Sequence, residues 1–411
     1  MYVNLMILAA FIFFYSVSSG WFERTPTSGA IVFTAFGLAF GPLGLDYLEL
    51  DIGDEGLSTL AGLTLAMVLF TDAANANLGV LKQSFHIPQR LLLIGLPLTI
   101  LLGFGVGILI FDDLTLLEIA ILATMLAPTD AALGKAVVTN ELVPSNVREG
   151  LNVESGLNDG ICVPILFLFL ALIAHSSGDE NTSELAIKLV VEEIGIGVAV
   201  ALLLTVSGTL LIKQCVARGW VSETWRQLPV ITLAVACFAV AQSLGGSGFI
   251  AAFTGGLLFG GIAEKYTSKH TFLLAAEGTG DTMALITWVI FGAVVLGQSV
   301  ESFSWQIVLY ALLSLTVVRM LPVFLTLAGM NLRIDEKLFM GWFGPRGLAS
   351  VVFAVIVLNA NLPGGNTIVM TAVCTIILSI IAHGISANFL IAKLANRIRG
   401  SQGESVVEKE N

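Results

Sequence analysis

Apolar stretches fill the chain from Leu5 to Leu394, separated only by short polar breaks. A helix needs about 20 apolar residues to cross the hydrocarbon core of a bilayer. Windows of that length predict thirteen spans: 3–20, 27–43, 57–77, 91–111, 115–134, 150–174, 194–213, 228–245, 248–262, 272–297, 306–328, 338–359 and 366–391. The eighth and ninth are short and joined by Gly245, Gly246, Ser247 and Gly248, so one broken segment is the alternative there. The expected fold class is an all-α polytopic membrane protein.

Composition narrows the function classes. Of 411 residues, 56% are hydrophobic and only 12% charged, against about 25% charged in a soluble domain. A soluble enzyme, a nucleic-acid binder and a protein with a single anchor are excluded. Cys162, Cys215, Cys237 and Cys374 lie in or beside apolar stretches without C-x-x-C spacing, so they read as packing residues. His86, His175, His270 and His383 lie mostly at span edges and read as ordinary.

The net charge of −11 matters less than where each sign falls. With the N-terminus outside, inward segments hold Arg24; Lys82 and Arg90; Lys135 and Arg148; Lys213, Arg218 and Arg226; Lys265 and Lys269; Arg333 and Lys337; and Lys393, Arg397, Arg399 and Lys409. Those are 16 of the 19 basic residues; Lys188 falls outside, and Arg319 and Arg346 lie within spans. Outward loops are acidic: Asp46, Glu49, Asp51, Asp54 and Glu55, then Asp112 and Asp113, then Asp179, Glu180 and Glu184. This alternation supports the count of thirteen and puts the C-terminus in the cytoplasm. Nothing basic precedes the first stretch and Arg24 follows it, so it is expected to remain as a helix and not to be cleaved as a signal peptide. The polar residues after Lys393 are expected to form a short cytoplasmic tail, disordered over 401–411, with no regulatory domain.

Ionisable residues within spans cost roughly 2.5–3.5 kcal/mol each and are functional candidates by default. In the sixth span, G-L-N-V-E-S-G-L-N-D-G places Glu154, Ser155, Asn158 and Asp159 between Gly150 and Gly160. Asp159 lies ~14 Å into the span, near the midplane of a core about 30 Å thick. Glu154 with Asn158 and Ser155 with Asp159 are i,i+4 pairs and make one polar stripe. Gly156 and Gly160 would let another helix backbone approach. Arg319, in the eleventh span, needs an anion, and Glu154 lies at a comparable depth in the cytoplasmic half. Asp72, Glu277 and Asp281, near the inner ends of the third and tenth spans, would line an acidic inward mouth or sit at solvated helix ends.

Two spans carry a second signal. The fifth contains A-P-T-D (Pro128, Thr129, Asp130) and the twelfth G-P-R-G (Gly344, Pro345, Arg346, Gly347). Proline removes a helical donor and clashes with the preceding turn, so both helices should break there. Asp130 suits the positive end of a half-helix and Arg346 a negative one. Each span is fifth in a six-helix unit, spans one to six and eight to thirteen, and the two run in opposite directions. Paired interrupted helices in inverted repeats point to a secondary-transporter site.

A midplane carboxylate exposed alternately to each side holds a proton or a small cation, and competition between them gives exchange. Hydroxyls of Thr129 and Ser155 would suit a hard alkali cation. A-P-T-D, then N-x-E-S-G-L-N-D-G about two dozen residues later, an Arg in the eleventh span and G-P-R-G in the twelfth resemble the monovalent cation/proton antiporters, in their Na⁺/H⁺ exchanger branch of the electroneutral NhaP-like type. The resemblance covers nearly the whole chain. It implies a homodimer in a cell membrane, with a core of spans four to six and eleven to thirteen (about 91–174 and 306–391) moving against an interface part (about 1–77 and 228–297), all within residues 1–400. It implies Asp159 as the exchanging carboxylate, with Asn158 where electrogenic relatives carry a second Asp, and Glu154 with Arg319 as a buried ion pair. Asp130, Thr129, Ser155 and Asp72 would complete the cation site and Arg346 its surroundings; Asp72 departs from the family's usual Glu. The implied cargo is Na⁺ (or Li⁺) against H⁺, or K⁺ against H⁺, with no cofactor and no nucleic acid. A channel would need a continuous pore, and a sodium-coupled symporter an organic-substrate pocket for which no polar lining is evident.

Overall fold

The computed structural model describes residues 2–22, 25, 28–48, 54–75, 86–130, 133–138, 140–175, 182–263, 269–296 and 303–407. Among the described residues there is no strand, and the helices group into thirteen segments. In order these are Tyr2–Phe22, Gly29–Phe40, Asp54–Asn75, His86–Ile110, Leu116–Met125 with Lys135–Val138, Ser145–His175, Thr182–Ala217, Leu228–Ser243, Gly248–Ala263, Lys269–Ile290 continued by Phe291–Leu296, Trp305–Leu315 with Val317–Thr326, Ile334–Trp342 with Leu348–Asn359, and Gly365–Val407. The eighth and ninth are separate helices, since the chain turns at Gly245 with φ +76°, a conformation that favours glycine.

Several helices outrun their apolar windows. The sixth starts at Ser145, not 150, the seventh at Thr182, not 194, and the thirteenth runs on to Val407, so the backbone of 401–407 is helical where a disordered tail was expected. Hydropathy marks the part of a helix that sits in hydrocarbon, whereas backbone hydrogen bonding continues into water. The seventh helix carries an exposed i,i+4 pair, Lys188 to Glu192 at 3.9 Å, on its extension. The fourth helix widens into a π segment over Leu91–Gly95, where Leu96 N–H reaches Leu91 O. Pro97, next in line, has no N–H to offer Leu93, and such bulges absorb that loss.

Packing divides the helices into two groups. The fourth, fifth, sixth, eleventh, twelfth and thirteenth contact one another, as do the second, third, seventh, eighth, ninth and tenth. Small residues bring the second group close. A Cβ at Gly256 or Gly260 of the ninth helix would overlap the carbonyls of Phe70 or Ala74 in the third, and one at Gly37 would overlap the tenth helix at Val289. The groups meet where the sixth helix packs against the third, seventh and ninth, and where the third lies against the second half of the twelfth. The first helix buries no residue and leans its aromatic side on the second through Phe11 with Phe33 and Phe36.

Candidate functional site

The fifth helix stops at Met125 and resumes at Lys135; the twelfth stops at Trp342 and resumes at Leu348. Between these halves the described stretches 126–130 and 343–347 meet. Asp130 N–H donates to Pro345 O at 2.8 Å, and the Asp130 carboxylate accepts from Leu133 N–H at 2.9 Å and Leu348 N–H at 2.7 Å. It therefore caps the start of the half-helix Leu348–Asn359 from the opposite repeat, where unpaired N–H groups and the helix dipole favour an anion. Gly347 is required here because a Cβ would collide with that carboxylate. Ser350 Oγ closes the other free end by donating to Met125 O at 2.9 Å.

Asp159 lies near the middle of the 31-residue sixth helix. It is 7% exposed, and its Oδ1 has no hydrogen-bond partner. Its neighbours engage one another instead: Asn158 Nδ2 donates to Thr129 Oγ1 at 2.7 Å, and Thr129 Oγ1 and Ser155 Oγ share a hydrogen bond at 3.1 Å. Half-buried Asp72 of the third helix packs against Gly156, one turn from Asp159; a Cβ there would sit 3.4 Å from Asp72 O. Gly160 makes room differently from the expected backbone approach, since the Phe253 ring of the ninth helix fills that space. Among the described residues no three His, Cys, Asp or Glu side chains are close enough to cage a metal ion. Asp159, Asp130 and Asp72 thus do not form a tight cluster.

About one and a half turns toward the N-terminus of the sixth helix, Glu154 and Arg319 form a two-armed ion pair at 2.6 and 2.8 Å, both side chains 2% exposed. Arg319 follows a kink at Thr316, and Gly344 leaves room for its guanidinium. Arg346 is fully buried; its Nη1 donates to Gly344 O at 2.7 Å, just past the end of the half-helix Ile334–Trp342, while Nε and Nη2 have no partner. At the C-terminal end of the third helix, Asn75 Nδ2 donates to Glu277 and ties it to the tenth, and Asp281 is exposed.

A family model described as sodium/hydrogen exchanger, transmembrane, matches residues 7–393. The chain belongs to that family. It is similar to the K⁺/H⁺ antiporter NhaP2 of Shewanella sp. (strain ANA-3), 22% identical over 358 residues, covering 87% of this chain and 61% of the relative. It is likewise similar to a Na⁺/H⁺ antiporter of Schizosaccharomyces pombe, 22% identical over 425 residues, covering 95% of this chain and 90% of that one. The chain thus spans about three fifths of the length of its NhaP2 relatives. Its fold matches the sodium proton antiporter MjNhaP1 from Methanocaldococcus jannaschii at pH 8, with a TM-score of 0.76 at 20% identity over 93% of this chain and 98% of that one.

This exchanger-family chain also uses residues that sequence reasoning passed over. His383 is not at a span edge but 3% exposed inside the thirteenth helix, bonded to the twelfth. His86 is exposed, and the side chains of His175 and His270 lie outside the described residues. Buried Glu118 completes a capping box with Thr115 and accepts from Gly364 N–H, joining the fifth helix to the turn before the thirteenth. Its T-x-x-E signature was visible in the sequence. The bonds of Ser350 to Met125, Ser379 to Arg346 and His383 to Trp342 had no local signal, because those partners are remote in the chain. The four cysteines are free, three of them buried, as packing residues would be.

Proposed function

We propose that the protein is a secondary active antiporter exchanging Na⁺ or Li⁺ for H⁺ across a cell membrane by alternating access, serving pH and sodium homeostasis. The observation that carries this reading is Asp159, a carboxylate at mid-helix depth with an unpartnered buried oxygen. Burying such a group is costly unless something binds it, and a proton or an alkali cation satisfies it equally. The hydroxyls of Thr129 and Ser155 supply hard oxygen ligands, Asn158 holds Thr129 in place, and Asp130 and Asp72 add negative field. Glu154 and Arg319 neutralise each other, and Arg346 anchors the twelfth-helix break. The fourth to sixth and eleventh to thirteenth helices move as a core against the rest, in a homodimer, with the N-terminus outside and the C-terminus in the cytoplasm. The names of the Shewanella relatives favour K⁺/H⁺ exchange as a second reading.

The test is cation-driven proton movement in proteoliposomes of the full chain, with Na⁺, Li⁺ or K⁺ and no organic solute present. Flux with Na⁺ and Li⁺ that disappears in Asp159→Asn is expected. Flux with K⁺ alone would replace the primary reading with the second, and flux only on adding an organic solute would replace both with symport.

A further inference from the structure

A helix broken at membrane depth exposes backbone groups that no water is available to satisfy, so each must find a protein partner. In the twelfth helix the accounts divide between two neighbours. The fifth-helix break takes Pro345 O and Leu348 N–H through Asp130. Within the stretch, Gly344 O accepts from Arg346 Nη1 and Gly344 N–H donates to Trp342 O. Two contacts go to the thirteenth helix: Arg346 N–H donates to Ser379 Oγ at 2.7 Å, and Trp342 O lies 2.8 Å from His383 Nε2. His383 Nδ1 lies 2.8 Å from Ser379 O and 3.2 Å from Ser379 Oγ. A neutral imidazole donates to Trp342 O with its proton on Nε2 or to Ser379 O with its proton on Nδ1, and an imidazolium donates to both. In each state a lone pair of Ser379 Oγ is left for Arg346 N–H. Trp342 Nε1 adds a bond to Ser386 Oγ at 2.9 Å, one further turn along the same face.

We propose that Ser379 and His383 are positioning residues of the crossover: together they fix both ends of the 343–347 stretch, and through it the Asp130 carboxylate beside Asp159. The coupling is short. Arg346, held by Ser379, lies between Pro345, whose carbonyl accepts Asp130 N–H, and Gly347, which precedes the Leu348 N–H bonded to Asp130 Oδ2. Ser379 is fully buried, so no water can replace its hydroxyl. Losing it leaves Arg346 N–H unsatisfied and frees the stretch to shift.

The test uses the full-length protein with Ser379→Ala, Ser379→Thr, His383→Ala and His383→Gln. Two quantities are measured: amide hydrogen exchange in the peptide carrying Arg346, Gly347 and Leu348, and the KM and kcat of Na⁺-driven proton flux. In Ser379→Ala, amide exchange in that peptide is expected to quicken about tenfold and KM to rise about fivefold, with kcat changed less than about twofold. Ser379→Thr, which keeps the hydroxyl, restores both; His383→Ala resembles Ser379→Ala, and His383→Gln, which keeps a donor for Trp342 O, lies between. Wild-type amide exchange and KM in Ser379→Ala and His383→Ala would overturn the proposal. So would a shift in Ser379→Ala that Ser379→Thr leaves uncorrected. The kinetic arm rests on the antiport reading, but the amide exchange does not: a wild-type chain without cation-driven flux refutes the antiport reading and leaves the exchange rates to decide the positioning role.

Discussion

The two breaks sit in corresponding places of two inverted units, yet they solve the same problem with different groups. At the fifth-helix break, Thr129 turns its side chain to the sixth helix and binds Ser155 and Asn158, and nothing in that trio reaches Asp159 Oδ1. At the twelfth-helix break, the thirteenth helix spends its polar side chains on backbone groups, Ser379 on Arg346 N–H and His383 on Trp342 O. One unit keeps a carboxylate in reserve, and the other closes its backbone. Breaking the chain twice is then explained without two binding sites. On the proposed reading the acidic side is the place for cargo, and the basic side is a brace whose half-helix presents its N-terminus to Asp130.

The sharpest way to break this comparison is Asp159→Asn. An amide cannot carry the proton in one half-cycle or the charge in the other, so Na⁺-driven proton flux is expected to fall by at least about a hundredfold. Thermal stability should hold or rise, because an unpartnered buried carboxylate is removed. Flux near the wild-type level in a well-folded Asp159→Asn protein would move the cargo site elsewhere. Glu154→Gln makes the opposite expectation. It should destabilise by roughly 3–5 kcal/mol, since Arg319 is left buried without its anion. Thermal unfolding in detergent measures this, and recovery on adding Arg319→Met would confirm that the loss comes from the stranded charge.

Asp130→Asn probes the point where the two units touch. Asn remains a good capping residue, but its amide offers one acceptor oxygen where two backbone N–H groups now bind. One bond is lost, for an expected cost of about 1–3 kcal/mol, smaller than that of Glu154→Gln. Because the substitution also removes negative field from Asp159, apparent Na⁺ affinity should weaken while maximal flux is largely kept. An Asp130→Asn protein with wild-type stability and affinity would show that the crossover does not tune the cargo site.

What the sequence reveals divides along the same line. The thirteen segments, both proline breaks and the sixth-helix stripe are local signals, written in runs and short spacings, and they are where the structure has them. The pairing of Glu154 with Arg319 was legible because a buried cation in a membrane must find an anion, and few were at its depth. Ser379, Ser350 and His383 were not legible. A serine in a membrane helix usually bonds to its own preceding turn, as Thr371 and Thr375 do here, and only the fold tells that Ser379 instead meets Arg346. Helix ends were misjudged for a related reason, since apolar windows report the bilayer and not the hydrogen-bond ladder.

The smallest expected effect is that of membrane voltage. Asn158 cannot titrate and is bonded to Thr129, Glu154 is neutralised by Arg319, and both Asp130 oxygens are engaged by backbone N–H groups. On the proposed antiport reading, Asp159 then carries one proton or one monovalent cation per crossing while Asp72 keeps the same charge in both half-cycles, so each half-cycle would move one positive charge and exchange would be one for one. Voltage supplies about 2.3 kcal/mol per charge per 100 mV to an unbalanced cycle, enough to shift an equilibrium gradient about fiftyfold. Proteoliposomes held at a K⁺/valinomycin potential, with a fixed pH gradient, should therefore reach the same final Na⁺ ratio whatever voltage is imposed. Wild type and Asp130→Asn should be alike in this. A Na⁺ ratio that follows the potential would mean that a second proton is carried, and if Asp130→Asn abolished that response, the residue assigned here to hold the crossover would be carrying cargo as well.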